Sequence, residues 1–248
     1  MLKEKLCEII ESAYQLGLAR GELSLPCPPF AVEKAEREEY GDYSSNLPLK
    51  LGSSGTGSFT IAQRLAGYIA QVDVQALVVC TVAQPGFLNF KLSKALLSRA
   101  ASELVRPAKN STGADTAKFP GAEAQFRIET LSGRCQAILS GVREAQADIV
   151  SGSLAPPLLD DSLWEEWLCD FEEARTYEPL FASDDYSPVK ALIINLDNLT
   201  NIEVLAPVVS DFLDESPLFQ LDLSVAKARL GLIFACKQVL SGWLGIIG

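Results

Sequence analysis

The sequence predicts an α+β protein: a small mixed α/β domain (residues 1–105), a flexible linker (residues 106–122) and an all-α helical bundle (residues 123–248). Three observations lead to this prediction. Runs of β-type residues occur only in the first half, and the second half shows only helical periodicity. Between them, "VRPAKNSTGADTAKFPGA" is polar, contains prolines and glycines, and has no hydrophobic period.

The first half is predicted to begin with an amphipathic helix from Leu2 to about Gly17, because its apolar residues follow helical spacing. "PFAVEKA" predicts a short strand, "YGDYSSN" predicts a turn, and Thr60 is the expected N-cap of a helix through "IAQRLAGYIAQV". "VQALVVCTVA" and "GFLNFKLS" predict two strands, and "KALLSRAASELV" predicts a closing helix. In the second strand, residues 87, 89 and 91 alternate with the apolar set Leu88, Phe90 and Leu92.

The second half is predicted to contain helices only. The clearest is "LSVAKARLGLIFACKQVLSGWLGIIG", with Gly242 and Gly245 marking its end. "VKALIINLDNLTNIEVLAPVVSDFLDES" predicts one helix and a second, interrupted by Pro207. "DDSLWEEWLCDFEEARTYEPLF" predicts a helix in which Trp164 and Trp167 are either core residues, which their spacing favours, or an anchor for a partner. Such a series of helices predicts a bundle.

The composition excludes several classes of catalytic site. The chain contains no histidine, so Ser-His-Asp and Cys-His arrangements are ruled out. Its six cysteines are scattered without a C-x-x-C pair, which predicts reduced, mostly buried thiols and no bound metal. "LGSSGTGSFT" lacks the G-K-[ST] ending of a phosphate-binding loop, and no cofactor is expected.

Charge is distributed unevenly between the halves. Residues 1–100 contain 10 basic and 10 acidic residues, whereas residues 123–248 contain 8 and 20, a net charge of −12. An acidic surface repels phosphate backbones and suits a basic protein partner. The start of the chain has no secretory pattern, and the uncharged stretch from Val74 to Phe90 is too short to span a membrane. We therefore expect a cytoplasmic protein without a membrane partner.

Several motifs in the first half, taken together and in order, resemble one family. Gly41-Asp42-Tyr43 with Asn46, the "IAQRLAGYI" helix, and Pro85-Gly86-Phe87 with Asn89 resemble the additional N-terminal domain of arginyl-tRNA synthetases. Gln84 stands where that family usually has glycine. The resemblance implies that this domain contacts the tRNA elbow through its last strand and the residues after it, with Phe90 stacking on a base.

The second half resembles the helical anticodon-binding domain of the same enzymes, often called the DALR domain. The similarity lies in Arg134 within "LSGRCQAIL" and in residues 228–248, and Ser132 stands where the family usually has histidine. Arg229 borders an apolar stripe, so it is either buried and paired or extended to the surface. The tRNA-binding residues that the resemblance implies are Tyr43, Asn46, Asn89, Phe90, Leu92, Lys94, Arg134 and Arg229.

A complete arginyl-tRNA synthetase carries a Rossmann-type catalytic domain, with a histidine-containing signature, between these two regions. Because this chain has no histidine, we expect a protein that is not an enzyme. Two hypotheses remain open. The first is a non-catalytic synthetase paralogue that binds tRNA or modulates a tRNA-dependent enzyme. The second is a protein-interaction or scaffold module that kept the accessory folds and lost RNA binding.

Overall fold

The computed structural model describes residues 1–23, 26–52, 57–105, 122–147, 174–182, 186–198, 202–215, 218 and 221–245. The α+β class predicted from the sequence is confirmed. The chain divides into two compact units, Met1–Leu96 and Leu97–Gly248. Residues 106–121 of the predicted linker, and the stretch containing Trp164 and Trp167, lie outside the described residues.

The N-terminal unit contains one four-stranded antiparallel sheet with strand order β1-β2-β4-β3. Helix α3 packs on β3 and β4, and α1 packs on α3, so the helices cover one face of the sheet. Its elements are α1 (Leu2–Ala19), β1 (Val32–Lys34), a 3-10 turn (Glu38–Tyr40), β2 (Tyr43–Ser45), α2 (Leu47–Leu51), α3 (Ser58–Val72), β3 (Val78–Ala83) and β4 (Phe87–Leu92). Helix α4 (Lys94–Val105) follows, and the boundary between the units falls within it.

The two faces of the sheet follow from the alternation of side chains along each strand. Leu88, Phe90 and Leu92 lie on one side of β4 and are buried, at 0%, 0% and 3% exposure. We call this side the core face. The opposite side, the outer face, carries Ser44 of β2, Val79 and Thr81 of β3, and Asn89 and Lys91 of β4, as the cross-strand pairs show.

Three local expectations from the sequence are wrong. The predicted turn "YGDYSSN" contains β2, a strand between β1 and β4, because Tyr43 and Ser45 are buried at alternate positions. Thr60 is not an N-cap, since α3 begins at Ser58 with Gly57 before it. The two helices expected from residues 189–216 are present, but Pro207 does not interrupt the second, since it lies inside a continuous helix from Ile202 to Asp214.

In the C-terminal unit the last helix packs against the first helix and the 3-10 helix. In chain order the helices are α5 (Ala122–Ala147), a 3-10 helix (Ala174–Phe181), α6 (Ser187–Asn198), α7 (Ile202–Asp214) and α8 (Leu223–Trp243). Helix α5 and the 3-10 helix contact α8, α5 also contacts α7, and α7 contacts α6. Helix α8 is buried on most sides from Ala226 to Cys236, as expected of a central helix. None of the described helices combines the length and apolarity needed to cross a membrane.

Candidate nucleic-acid interface

Asp42 connects the start of β2 to β4. Its backbone N–H donates to the Phe90 carbonyl at 2.7 Å, and the Leu92 N–H donates to Asp42 Oδ2 at 2.8 Å. The Ala35 N–H also donates to the Asp42 carbonyl at 3.0 Å. Asp42 is 6% exposed, so these hydrogen bonds are largely shielded from water. Leaving a donor or acceptor without a partner in such a buried place is costly. Asp42 therefore fixes the position of β4 next to β2.

Gly41 allows this close approach. Its φ is +83°, a left-handed conformation that glycine adopts without steric cost. A Cβ atom at this position would lie 2.7 Å from the Phe90 carbonyl oxygen. The Gly-Asp-Tyr sequence is thus explained by backbone geometry and buried hydrogen bonding.

Tyr43, Phe90 and Leu92 form part of the core. Tyr43 lies directly opposite Phe90 across the β2–β4 pair, and both side chains are 0% exposed. Base stacking by Phe90, which the resemblance implied, requires an exposed ring, and the structure buries this one. Leu92, 3% exposed, is likewise enclosed. These three residues therefore belong to the core that packs beneath β2 and β4.

Asn89 lies on the outer face in the middle of a polar row. It pairs with Ser44 of β2 on one side and with Thr81 of β3 on the other. Asn89 is only 6% exposed, so its amide group is largely covered by neighbouring residues. Lys91, exposed and two residues along the strand, lies next to Val79. The outer face thus offers amide and hydroxyl groups beside one ammonium group.

Asn46 follows β2 and Lys94 follows β4, and the two residues have different roles. The Ala31 N–H donates to Asn46 Oδ1 at 3.1 Å, so Asn46 fixes the segment that precedes β1. Lys94 is exposed at the first residue of α4, two residues after β4 ends. It extends the basic character that begins at Lys91.

Sequence reasoning missed Ser44, Thr81 and Lys91. The alternation along β4 was itself sufficient to place Lys91 on the side of Asn89, and to place Phe90 on the other. Ser44 and Thr81 could be found only from the strand register, because "YGDYSSN" has no strand-like hydrophobic pattern.

Arg134 of α5 binds the end of α7. Its Nη1 donates to Ser210 Oγ at 3.1 Å and its Nη2 donates to Asp214 Oδ1 at 2.5 Å. The Ser210 hydroxyl donates to Asp214 Oδ2 at 3.3 Å, which closes a small polar cluster. The guanidinium is only about one-third exposed, with 37% of the side chain accessible.

Arg229 of α8 binds the same end of α7. Its Nη2 donates to the Phe212 carbonyl at 3.2 Å, and its guanidinium carbon lies 4.7 Å from the centre of the Phe212 ring. Burial lowers the pKa of Arg229, and the nearby charge of Glu215 acts in the opposite direction. The alternative in which Arg229 is partly buried and paired is therefore the one observed.

The two arginines compensate for a missing feature of α7. The last turn of this helix contains no basic residue of its own, and its terminal carbonyl groups have no partner within the helix. Arg134 and Arg229 supply positive charge there, where the helix dipole is negative. Both residues of this unit that the resemblance implied for tRNA binding are thus engaged within the protein.

The described residues offer little for chemistry elsewhere. Among these residues, no three cysteine or carboxylate side chains form a group able to hold a metal ion. A cavity of about 660 Å³ beside α1 is lined by Cys7, Glu11, Tyr14, Cys27 and Phe30, among others. Burial raises the pKa of both thiols, and the charge of Glu11 raises it further. Neither is an activated nucleophile.

The sheet domain has clear relatives. Residues 1–92 match the family described as the arginyl tRNA synthetase N terminal domain, and this stretch is therefore a domain of that type. The chain is 32% identical to an arginine–tRNA ligase of Dehalococcoides mccartyi (strain CBDB1) over 94 residues, which cover 38% of the chain and 16% of the relative. It is also 32% identical to an arginine–tRNA ligase of Tropheryma whipplei (strain TW08/27) over 134 residues, which cover 53% of the chain and 22% of the relative.

A third arginine–tRNA ligase, from Metamycoplasma arthritidis, is 34% identical over 92 residues, which cover 37% of the chain and 16% of the relative. The protein is thus related to arginyl-tRNA synthetases over its N-terminal part. The matched regions cover only 16% to 22% of the length of these relatives.

Proposed function

We propose that this protein binds tRNA through the outer face of its N-terminal sheet. The observation that carries the proposal is the coincidence of two facts. Residues 1–92 match the arginyl-tRNA synthetase N-terminal domain, and the outer face of this sheet carries Asn89 between Ser44 and Thr81, with Lys91 two residues further along β4. Amide and hydroxyl groups hydrogen-bond to base edges and to ribose 2′-hydroxyls, and a lysine contacts phosphate.

Charge restricts the interface to this unit. Residues 1–100 have balanced charge, whereas residues 123–248 carry a net charge of −12 and repel phosphates. The two arginines of this half that the resemblance implied for tRNA binding contact the end of α7 instead. Lys91 on the outer face and Lys94 at the start of α4 offer at most two phosphate contacts, so a shallow salt dependence is expected, with a slope no steeper than about −1.4.

The proposed role is non-catalytic: these residues hold or present tRNA, or modulate a tRNA-dependent enzyme, without aminoacylating it. The absence of histidine supports this proposal, because the nucleotide signature of the family's catalytic domain contains that residue. A direct check is to incubate the chain with tRNA, ATP and arginine. Formation of aminoacyl-tRNA would refute the non-catalytic role.

The binding proposal is tested by a filter-binding titration of the full chain against tRNA at several salt concentrations. Lys91→Ala is expected to weaken binding and to make the salt slope shallower by about 0.7, since one phosphate contact is lost. Lys3→Ala, which removes the same charge from α1 in the helical layer, is the matched control and should change neither quantity. Folded protein that binds no tRNA at low salt would refute the proposal.

A second candidate is a protein-interaction module, favoured by the acidic charge of the C-terminal half and by the internal use of Arg134 and Arg229. A basic protein is the partner that such a surface suits. Affinity capture from cell extract, with and without ribonuclease, separates the two candidates. Partners that persist after ribonuclease treatment support the interaction module, whereas partners that disappear with the RNA argue against it.

A further inference from the structure

Strand β3 lies at an edge of the sheet. The edge of this strand that faces away from β4 carries unpaired backbone groups. In an antiparallel pair, the hydrogen-bonding groups of alternate residues point to the same side. Ser93 N–H donates to the Leu77 carbonyl, which places odd-numbered residues toward β4. Val78 N–H instead points away from β4 and donates to Asp73 Oδ2 at 2.9 Å.

By this alternation, the N–H and carbonyl groups of Cys80 and Val82 point away from β4. Within the described part of the chain, none of these four groups has a hydrogen-bond partner. Asp73 satisfies the first outward N–H of the strand, so the unpaired stretch begins after Val78. The free edge is therefore defined and short, from Cys80 to Val82.

The strand lacks the charged residues and prolines that usually protect an edge. Its sequence, VVCTVA, contains no charge, no proline and no glycine, and it is rich in β-branched residues. Val79, the second residue of this strand, is 62% exposed. Such an edge is suited to pairing with another strand.

We infer that β3 pairs with β3 of a second copy of this chain. The free groups are self-complementary about a two-fold axis at Thr81. In that register Cys80 of each copy lies opposite Val82 of the other, and each such pair exchanges two hydrogen bonds, four in total. The N–H of Val78 remains bonded to Asp73, so no existing bond is broken.

Two further observations favour a second copy as the partner. The strand is uncharged, and the N-terminal residues 1–100 contain equal numbers of basic and acidic residues, so net charge does not oppose self-pairing there. The axis also places Thr81 against Thr81 across the outer face, a favourable cross-strand pair. The product is a continuous eight-stranded sheet.

Sedimentation of the full chain at concentrations up to about 1 mM tests the inference. Wild type is expected to form a dimer, and Val82→Pro is expected to raise its dissociation constant at least about tenfold, because proline removes an N–H that points away from β4. Val82→Thr retains that N–H and is the matched control. A wild type that stays monomeric throughout, or a dimer that Val82→Pro leaves unchanged, would overturn the inference.

Cross-linking checks the register without relying on the proline variant. In a chain carrying Cys80→Ala, Thr81→Cys is expected to form an intermolecular disulfide when copper–phenanthroline removes two electrons and the two thiols lose their protons. Residues opposed at a non-hydrogen-bonded position lie about 4.5 Å apart between Cα atoms, within disulfide range. Val79→Cys lies opposite Ala83 of the second copy and should not cross-link. Equal cross-linking of both variants would refute the register.

Discussion

The two units use the residues singled out by the resemblance in different ways. In the N-terminal unit, Asp42, Tyr43 and Phe90 build the sheet, and Asn89 on the same strand as Phe90 is left on the outer face. In the C-terminal unit, Arg134 and Arg229 both bind residues at the end of α7 and stabilise it. Residues picked out by a resemblance can thus serve the fold alone, and their contacts within the chain reveal when this is so.

The largest expected effect separates the two faces of β4. Phe90→Ala should lower the free energy of unfolding by about 3–5 kcal/mol, because it removes a ring with no exposed surface and leaves a cavity. Lys91→Ala, one residue away on the outer face, should change it by less than about 0.5 kcal/mol. Urea unfolding of both variants measures the difference. Similar losses would show that the faces are wrongly assigned.

The next effect concerns the connection between β2 and β4. Asp42→Ala should lower the free energy of unfolding by about 1–3 kcal/mol, because the Leu92 N–H loses its acceptor in a buried position. Glu33→Ala, an exposed carboxylate on β1, is the control and should have little effect. Thermal unfolding compares the two. A neutral Asp42→Ala would mean that water satisfies Leu92.

A smaller effect is expected at the end of α7. Arg229→Gln should lower the free energy of unfolding by about 1 kcal/mol, since it removes a cation from the Phe212 carbonyl and from the Phe212 ring. Lys227→Gln, on the same helix, removes a charge that is not placed over that ring and should cost less. Chemical denaturation distinguishes them. If the two variants are equally destabilised, the contact with α7 is not the cause.

The smallest effect belongs to the pair of Arg134 and Asp214. A double-mutant cycle with Arg134→Gln and Asp214→Asn should give a coupling of about 0.2–1 kcal/mol, because both side chains retain contact with solvent. The coupling should decrease as salt screens it. Measurement at low and high salt checks both points. A coupling that does not respond to salt would indicate a hydrogen bond that does not depend on charge.

Most helices and the last two strands of the sheet were predictable from hydrophobic periodicity. The observed α1, β3, β4, α4 and α8 match stretches whose apolar residues recur at helical or strand spacing. Strand β2 was not predictable in this way, because its short polar sequence has no strand-like hydrophobic pattern and its place is set by the Asp42 bonds to β4. Local sequence carries no signal for a pairing made across 50 residues.

The candidate site was only partly predictable, for a related reason. Asn89 could be named from the family resemblance, and the alternation along β4 implied that Phe90 is buried. Ser44 and Thr81 join the site through strand register alone. The contacts of Arg134 and Arg229 with α7 join residues distant in sequence, so spacing could not reveal them.

The most direct test of the account compares tRNA affinity across the two units in one titration series. Asn89→Ala and Lys91→Ala should each weaken tRNA binding, by about tenfold for the loss of a good contact. Arg134→Gln and Arg229→Gln should leave the affinity of the folded protein unchanged, because their guanidinium groups are bound to α7. The opposite pattern, with binding lost in the arginine variants and retained in the sheet variants, would contradict the account.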